Sequence, residues 1–127
     1  MAKKEFAFRG KTLEEIKALS LNDFLKMIPS KERRSVKRGF TTEQKVLLEK
    51  VKSRQKTIKT HARDMVILPE MVGLVIKVYT GNSYFDVHIN EEMLGHRLGE
   101  FALTRRRVAH NAPGVGATRG SASVSVR

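Results

Sequence analysis

Leu74-Val75-Ile76-Lys77-Val78-Tyr79-Thr80-Gly81-Asn82-Ser83-Tyr84-Phe85-Asp86-Val87-His88-Ile89 reads as two strands about a turn. Apolar and polar residues alternate on both sides of Thr80 to Ser83, and Gly81 and Asn82 tolerate the positive φ that a tight hairpin needs. Pairing the arms puts Leu74, Ile76 and Val78 on one face with Phe85, Val87 and Ile89. Lys77, Tyr79, Asp86 and His88 are left on the other face. One face of this hairpin must be covered and the other is open to solvent or a partner.

Upstream, Met65-Val66-Ile67-Leu68 is a short apolar run closed by Pro69, which cannot donate to a sheet ladder; it is predicted to be a further strand. Downstream, Asn90 is positioned to cap a short helical turn, with Glu91 and Glu92 complementing its dipole and Met93 and Leu94 returning to the core. Gly95 ends that turn, and Gly99 to Leu103 predicts one more.

Further upstream the period changes from two to three and four. Thr12-Leu13-Glu14-Glu15 carries the signature of a capping box, and Ser20-Leu21-Asn22-Asp23 repeats the start signal. In the second of these helices Leu21, Phe24, Leu25 and Ile28 form one stripe, and Pro29 stops it. Residues 30–40 show little apolar periodicity and are predicted to be a loop presenting Lys31, Arg33, Arg34, Lys37 and Arg38, with Gly39 permitting a turn. Thr41 with Gln44 opens a third helix, whose apolar face is Gln44, Leu47, Leu48 and Val51 and whose polar face displays Lys45, Lys50, Lys52 and Arg54. A basic loop, Gln55 to Thr60, follows.

These readings predict an α+β fold: a small sheet of about three strands with short helices packed on it. They divide the chain into an N-terminal helical extension and basic loop (1–40), an α+β core domain (41–107), and a flexible basic tail (108–127). The tail has too little apolar surface to offset the entropy of ordering it.

Charge is distributed unevenly along the 127 residues, whose formal net charge is +12. Residues 1–25 hold five Lys/Arg against four Asp/Glu, and residues 26–63 hold thirteen against three. Residues 64–100 reverse the sign with two against six, and residues 101–127 hold five arginines and no acid. Basic flanks around an acidic centre point to flanks that meet a polyanion. The basic stretches lack the aromatic and aliphatic face of an interfacial helix, so nucleic acid is favoured and no membrane contact is expected. The chain has no cysteine, no apolar run of secretory length and no stretch of membrane-spanning length, so an unexported intracellular protein is expected.

Catalytic and cofactor readings fare poorly. Gly114 to Gly120 is spaced G-x-G-x-x-x-G, with no strand before it or helix after it, and does not make a dinucleotide loop. His61, His88, His96 and His110 lack paired metal-ligand spacing, so no metal and no cofactor are expected. Glu91 and Glu92 are adjacent, hence point apart, and suit a helix start better than acid/base work. No serine has a histidine and an acid placed to activate it, so no enzyme is expected. Few aromatics interleave with the basic runs, which favours backbone and shape recognition over base stacking.

The segments Ile67-x-Pro69-Glu70-Met71-Val72-Gly73, Val78-Tyr79-x-Gly81 and Gly95-His96-x-Leu98-Gly99-Glu100-Phe101 closely resemble the universal small-subunit ribosomal protein family conventionally numbered nineteen. The tail His110-x-Ala112-Pro113-Gly114-Val115-Gly116-Ala117-Thr118 and the N-terminal helices resemble its archaeal and eukaryotic branch. Ser35-Val36-Lys37-Arg38-Gly39-Phe40 is similar to a family element but lacks the proline that bacterial versions carry before the aromatic.

The resemblance implies a structural component of the small ribosomal subunit, bound to small-subunit rRNA in the head beside another basic head protein. It also implies a place near the large-subunit interface, with the tail directed toward the tRNA sites. Position by position it implies rRNA contact for Arg33, Arg34, Lys37, Arg38, Lys56, Lys59, His61, Arg63 and Arg105. Charge adds Lys52, Arg54, Arg106, Arg107 and Arg119, while Asp86, Glu91 and Glu92 are expected to face neighbouring protein. A free-standing DNA-compacting protein and an RNA-processing enzyme are the rival readings, the second disfavoured by the missing catalytic constellation.

Overall fold

A computed structural model describes residues 6–109. Four helices, α1 (Leu13–Ala18), α2 (Leu21–Met27), α3 (Ser30–Lys37) and α4 (Thr42–Lys52), precede a three-stranded sheet. Its strands are β1 (Ile58–Thr60), β2 (Val75–Tyr79) and β3 (Tyr84–His88), in the order β1-β2-β3. β1 runs parallel to β2, and β2 and β3 form the antiparallel hairpin, so the fold is α+β. Short 3₁₀ turns at Pro69–Met71, Glu91–Met93 and Leu98–Phe101 complete the described chain.

Three helix starts follow their sequence signals. Thr12 and Glu15 close a reciprocal capping box on α1, Thr41 and Gln44 close another on α4, and the Ser20 hydroxyl accepts from the Asp23 amide at the head of α2. Helices this short are marginal by themselves, and packing fixes them. Ile16 of α1, Phe24, Leu25 and Ile28 from the α2 region, and Leu47 and Val51 of α4 share one apolar cluster with Ile58, Ile76, Val78 and Val87 of the sheet.

The helical region extends further than the sequence periodicity indicates. Residues 30–37, expected as a loop, form α3. Pro29 both ends α2 and precedes α3, its fixed φ of −56° already suiting a helix start. Only Val36 of α3 is buried, so the apolar stripe is too thin to register as periodicity. The side chains of Arg33 and Arg97 supply the missing anchorage. The Arg33 guanidinium donates to the carbonyls of Leu25 (2.8 Å), Lys26 (3.1 Å) and Ile28 (3.0 Å) at the end of α2. Arg97 donates from Nη2 to the Ser35 hydroxyl at 3.1 Å, and its Nε lies 3.7 Å from a Glu32 carboxylate oxygen.

The third strand is also not the expected one. Met65 to Leu68 are all buried but stand outside the sheet, bridging antiparallel to residues 95–98 through Ile67 N–H to His96 O (2.8 Å) and Leu98 N–H to Met65 O (3.0 Å). A continuous apolar run can be buried on all sides without belonging to a sheet. The strand lies instead in the basic segment, where Ile58 and Thr60 point inward and Lys59 outward, a two-residue period in a stretch dominated by cations.

The hairpin keeps its predicted register: Ile76 opposes Val87, Lys77 opposes Asp86, Val78 opposes Phe85, and Tyr79 opposes Tyr84. In its turn Gly81 takes the positive φ, at 99°, and the Thr80 amide and hydroxyl both donate to Ser83 O. Phe85 is the exception on the apolar face. It remains 51% exposed, whereas Val78 opposite it is fully buried.

Candidate nucleic-acid interface

The cations expected to meet RNA separate into two structural groups. Arg34, Lys37 and Arg38 are exposed around the end of α3, and Lys52, Arg54, Lys56 and Lys59 are exposed from the end of α4 through β1. None of these seven forms a salt bridge among the described residues; the pairs found are Lys26–Asp23, Lys77–Asp86, His96–Glu100 and Arg97–Glu32. Arg105, Arg106 and Arg107 are exposed in the segment without regular secondary structure that follows the last 3₁₀ turn. Arg119 and the glycine-rich tail lie outside the described residues, as does His110.

Arg33 and Arg63 are the second group, with guanidinium groups committed inward. Arg33 caps the carbonyls of α2 as described above. Arg63 donates to Tyr79 O at 2.7 Å from Nη1, and to Gly99 O at 2.9 Å and Ala102 O at 2.5 Å from Nη2. A planar fork of charged donors suits such convergent carbonyls, and Lys could not reproduce it. This clamp ties the end of β2 to the Leu98–Phe101 turn and so fixes where the chain departs toward Arg105. The Arg63 backbone closes against the same turn: Gly99 N–H donates to Arg63 O at 2.8 Å, and a Cβ on Gly99 would lie 3.0 Å from that oxygen.

The end of α4 has an unusual termination. Arg54 N–H bonds Val51 O at 3.1 Å and Gln55 N–H bonds Lys50 O at 3.3 Å, the paired pattern that closes a helix with a left-handed residue. That residue is Arg54, at φ 47°, where glycine is the usual occupant. Arg54 lines a pocket of about 530 Å³ together with Lys17 and Lys52, with Val51 and Leu74 among the apolar lining residues and Glu70 as the single acid. Lys17 comes from α1. Its remoteness in sequence from the basic region 26–63 hides its place beside Lys52 and Arg54.

His61 is exposed and stacks on Tyr79, with ring centroids 4.3 Å apart, while its Nε2 is hydrogen bonded to the Tyr84 hydroxyl at 2.9 Å. Lys59 Nζ sits 5.3 Å from the Tyr84 ring centroid. Tyr79 and Tyr84 were not among the expected site residues, because they are far from His61 in sequence and become neighbours only through the sheet register. The expected protein-facing acids are placed separately. Asp86 lies on the open sheet face, 3.4 Å from Lys77, and Glu91 and Glu92 lie in the 3₁₀ turn after β3. Asn90 stands at the start of that turn without a side-chain capping bond.

Among the described residues no three His, Cys, Asp or Glu side chains gather as a metal site, and no helix is long and apolar enough to cross a membrane. What the described residues offer is a set of exposed cations without acidic partners on a small α+β scaffold, the electrostatic footprint of the nucleic-acid-associated class of basic proteins. Comparison with known proteins narrows the class. The chain belongs to the ribosomal protein S19 family, whose model matches residues 34–110. It is similar to the small ribosomal subunit protein uS19 of Picrophilus torridus, with 51% identity over 118 residues covering 93% of this chain and 78% of that one. The family resemblance read from the motifs is thereby borne out, and the fold is that of a ribosomal protein.

Proposed function

We propose that this chain is a structural constituent of the small ribosomal subunit that binds small-subunit rRNA in the head through Lys and Arg contacts to phosphates. The observation that supports this most directly is the set Arg34, Lys37, Arg38, Lys52, Arg54, Lys56 and Lys59: seven exposed cations without an acidic partner among the described residues. A merely solvated surface mixes signs, whereas a polyanion-binding surface does not. Lys17 joins the set at the Arg54 pocket. Arg105, Arg106 and Arg107 continue it toward the tail, which carries Arg119 and in this reading is directed toward the tRNA sites. Arg33 and Arg63 act in this reading as positioning residues, holding α3 and the C-terminal exit where the exposed cations can meet the phosphates. Asp86, Glu91 and Glu92 meet a neighbouring basic head protein, and the same region of the subunit faces the large subunit.

Binding of the full chain to transcribed small-subunit rRNA, followed from about 50 to 200 mM salt, tests the mechanism. Neutralising about eight phosphates lowers affinity by roughly 10³ to 10⁵ over that range through counterion uptake. Affinity indifferent to salt would overturn it. Competition with mixed-sequence duplex DNA addresses the DNA-compacting alternative: a ribosomal constituent keeps its preference for the structured RNA.

A further inference from the structure

We propose that the open face of the sheet carries a stacking platform for an unpaired RNA base, built from His61, Tyr79 and Tyr84 with Lys59 at its edge. The inference rests on the rRNA-binding reading and adds to it a base contact distinct from the phosphate contacts. The sheet register brings the three rings together. Tyr79 and Tyr84 are cross-strand partners beside the hairpin turn, and His61 directly follows Thr60, the partner of Val78. The three aromatics therefore occupy one end of the open face, side by side across three strands.

Their geometry is that of a held surface rather than of loose side chains. His61 lies on Tyr79 at 4.3 Å and 25° between planes, and it meets Tyr84 edge-on at 5.7 Å and 82°. The 2.9 Å hydrogen bond between His61 Nε2 and the Tyr84 hydroxyl fixes the histidine ring relative to both tyrosines. Such immobilisation removes much of the ordering cost that a flexible aromatic would incur on binding. Yet the cluster stays open to solvent: His61 is exposed, and Tyr84 is 39% exposed. The core is on the opposite face, under Ile76, Val78 and Val87, so the outer surface of the ring cluster is left free to meet a partner.

The surroundings select the partner. Lys59 stands 5.3 Å from the Tyr84 ring centroid, and Lys56 and Arg54, a few residues before it in the chain, are exposed as well, so phosphates held by these cations would bring a base near the rings. Every base has a π face, which makes the platform tolerant of sequence. Duplex RNA, whose bases are stacked on one another, offers it nothing.

Tyr79 and Tyr84 are the chain's two tyrosines and it has no tryptophan, so its tyrosine emission reports on this cluster alone. The full chain is titrated with a single-stranded oligoadenylate of about ten nucleotides and with an all-abasic ribose-phosphate oligomer of the same length. The expected result is quenching by the oligoadenylate and roughly tenfold to hundredfold tighter binding than to the abasic oligomer, the range of one stacked base. Tyr84→Leu and His61→Ala each collapse that ratio toward one while leaving the salt dependence unchanged, and Tyr84→Phe, which keeps the ring, retains most of it. Equal affinity for the two oligomers, or tyrosine emission unaltered on binding, overturns the platform. The oligomer comparison needs no variant and decides the question even if a substitution unfolds the protein. If the platform fails while salt-dependent binding persists, the phosphate reading stands. If binding to both oligomers is independent of salt, it is the phosphate reading that fails.

Discussion

Replacing Arg54 by glycine is expected to make the protein more stable and a weaker RNA binder. At φ 47° the residue closes α4 in the left-handed region, where an L side chain crowds its own backbone. The cost is about 1 to 2 kcal/mol relative to glycine. Glycine returns part of this, because its unfolded chain has more freedom to lose, by about 0.4 to 1 kcal/mol. The net gain expected from Arg54→Gly is therefore about 0.8 kcal/mol at the middle of these ranges, or roughly 2 to 5 °C in Tm for a domain of this size. Arg54→Ala removes the same charge and keeps the backbone strain, so it separates the two effects.

Both variants should bind rRNA less tightly, with the slope of log affinity against log salt reduced by about 0.7 to 0.9, one phosphate contact. Only the glycine variant should melt later, in urea and in heat. If the glycine variant is no more stable than the alanine variant, the left-handed closure stores no strain. If neither changes the salt slope, Arg54 does not meet phosphate. The expected combination would mean that an arginine has been kept, at a cost in stability, where helix termination by itself favours glycine.

Changing Arg34, Lys37 and Arg38 together to Ala should weaken rRNA binding and shallow its salt slope by about 2 to 3 while leaving the thermal transition in place, since all three are exposed. Arg33→Ala should do the reverse, lowering stability by about 1.5 to 3 kcal/mol through loss of charged donors to the α2 carbonyls, with little change in slope. Arg63→Lys should cost about 2 to 4 kcal/mol in a urea melt, because a lysine cannot span Tyr79 O, Gly99 O and Ala102 O; an unaltered melt would remove the clamp from the account. The Lys26 ammonium, then the Ser20 hydroxyl, hold the Asp23 carboxyl below its ordinary value of 3.8. A depressed carboxylate contributes stability above its unfolded pKa and loses it as pH falls through the folded one, so Asp23→Asn should flatten the acid side of the stability profile below about pH 4.

The sequence displays most clearly those parts of the molecule that depend on neighbours in the chain. Thr12 with Glu15 and Thr41 with Gln44 cap helices by contacts three residues apart, and the alternation around Thr80 to Ser83 sets the hairpin register without help from elsewhere. What it hides depends on contacts made from a distance. α3 buries only Val36 and is held by Arg33 and Arg97, so its stabilising chemistry resembles a basic loop until the carbonyls and the hydroxyl it serves are in place. β1 conceals a two-residue alternation under the cations of residues 56–59, while the more strand-like Met65 to Leu68 is taken up by a bridge to residues 95–98.

The same distinction divides the candidate interface. Single cations such as Arg34 or Lys56 are legible because charge is a property of the residue, and in a flexible or exposed position it acts wherever it is carried. Base stacking is a property of an arrangement. His61, Tyr79 and Tyr84 are too widely spaced to look like an aromatic motif, and a search along the chain for rings interleaved with charges passes over them. Only the parallel pairing of β1 with β2, and of β2 with its hairpin partner, sets the three rings across one end of the sheet. A one-residue slip in either ladder would turn a member of the set to the opposite face. The register that buries Ile76, Val78 and Val87 therefore also determines which aromatic side chains can meet a base, so the platform and the core are two consequences of one pairing.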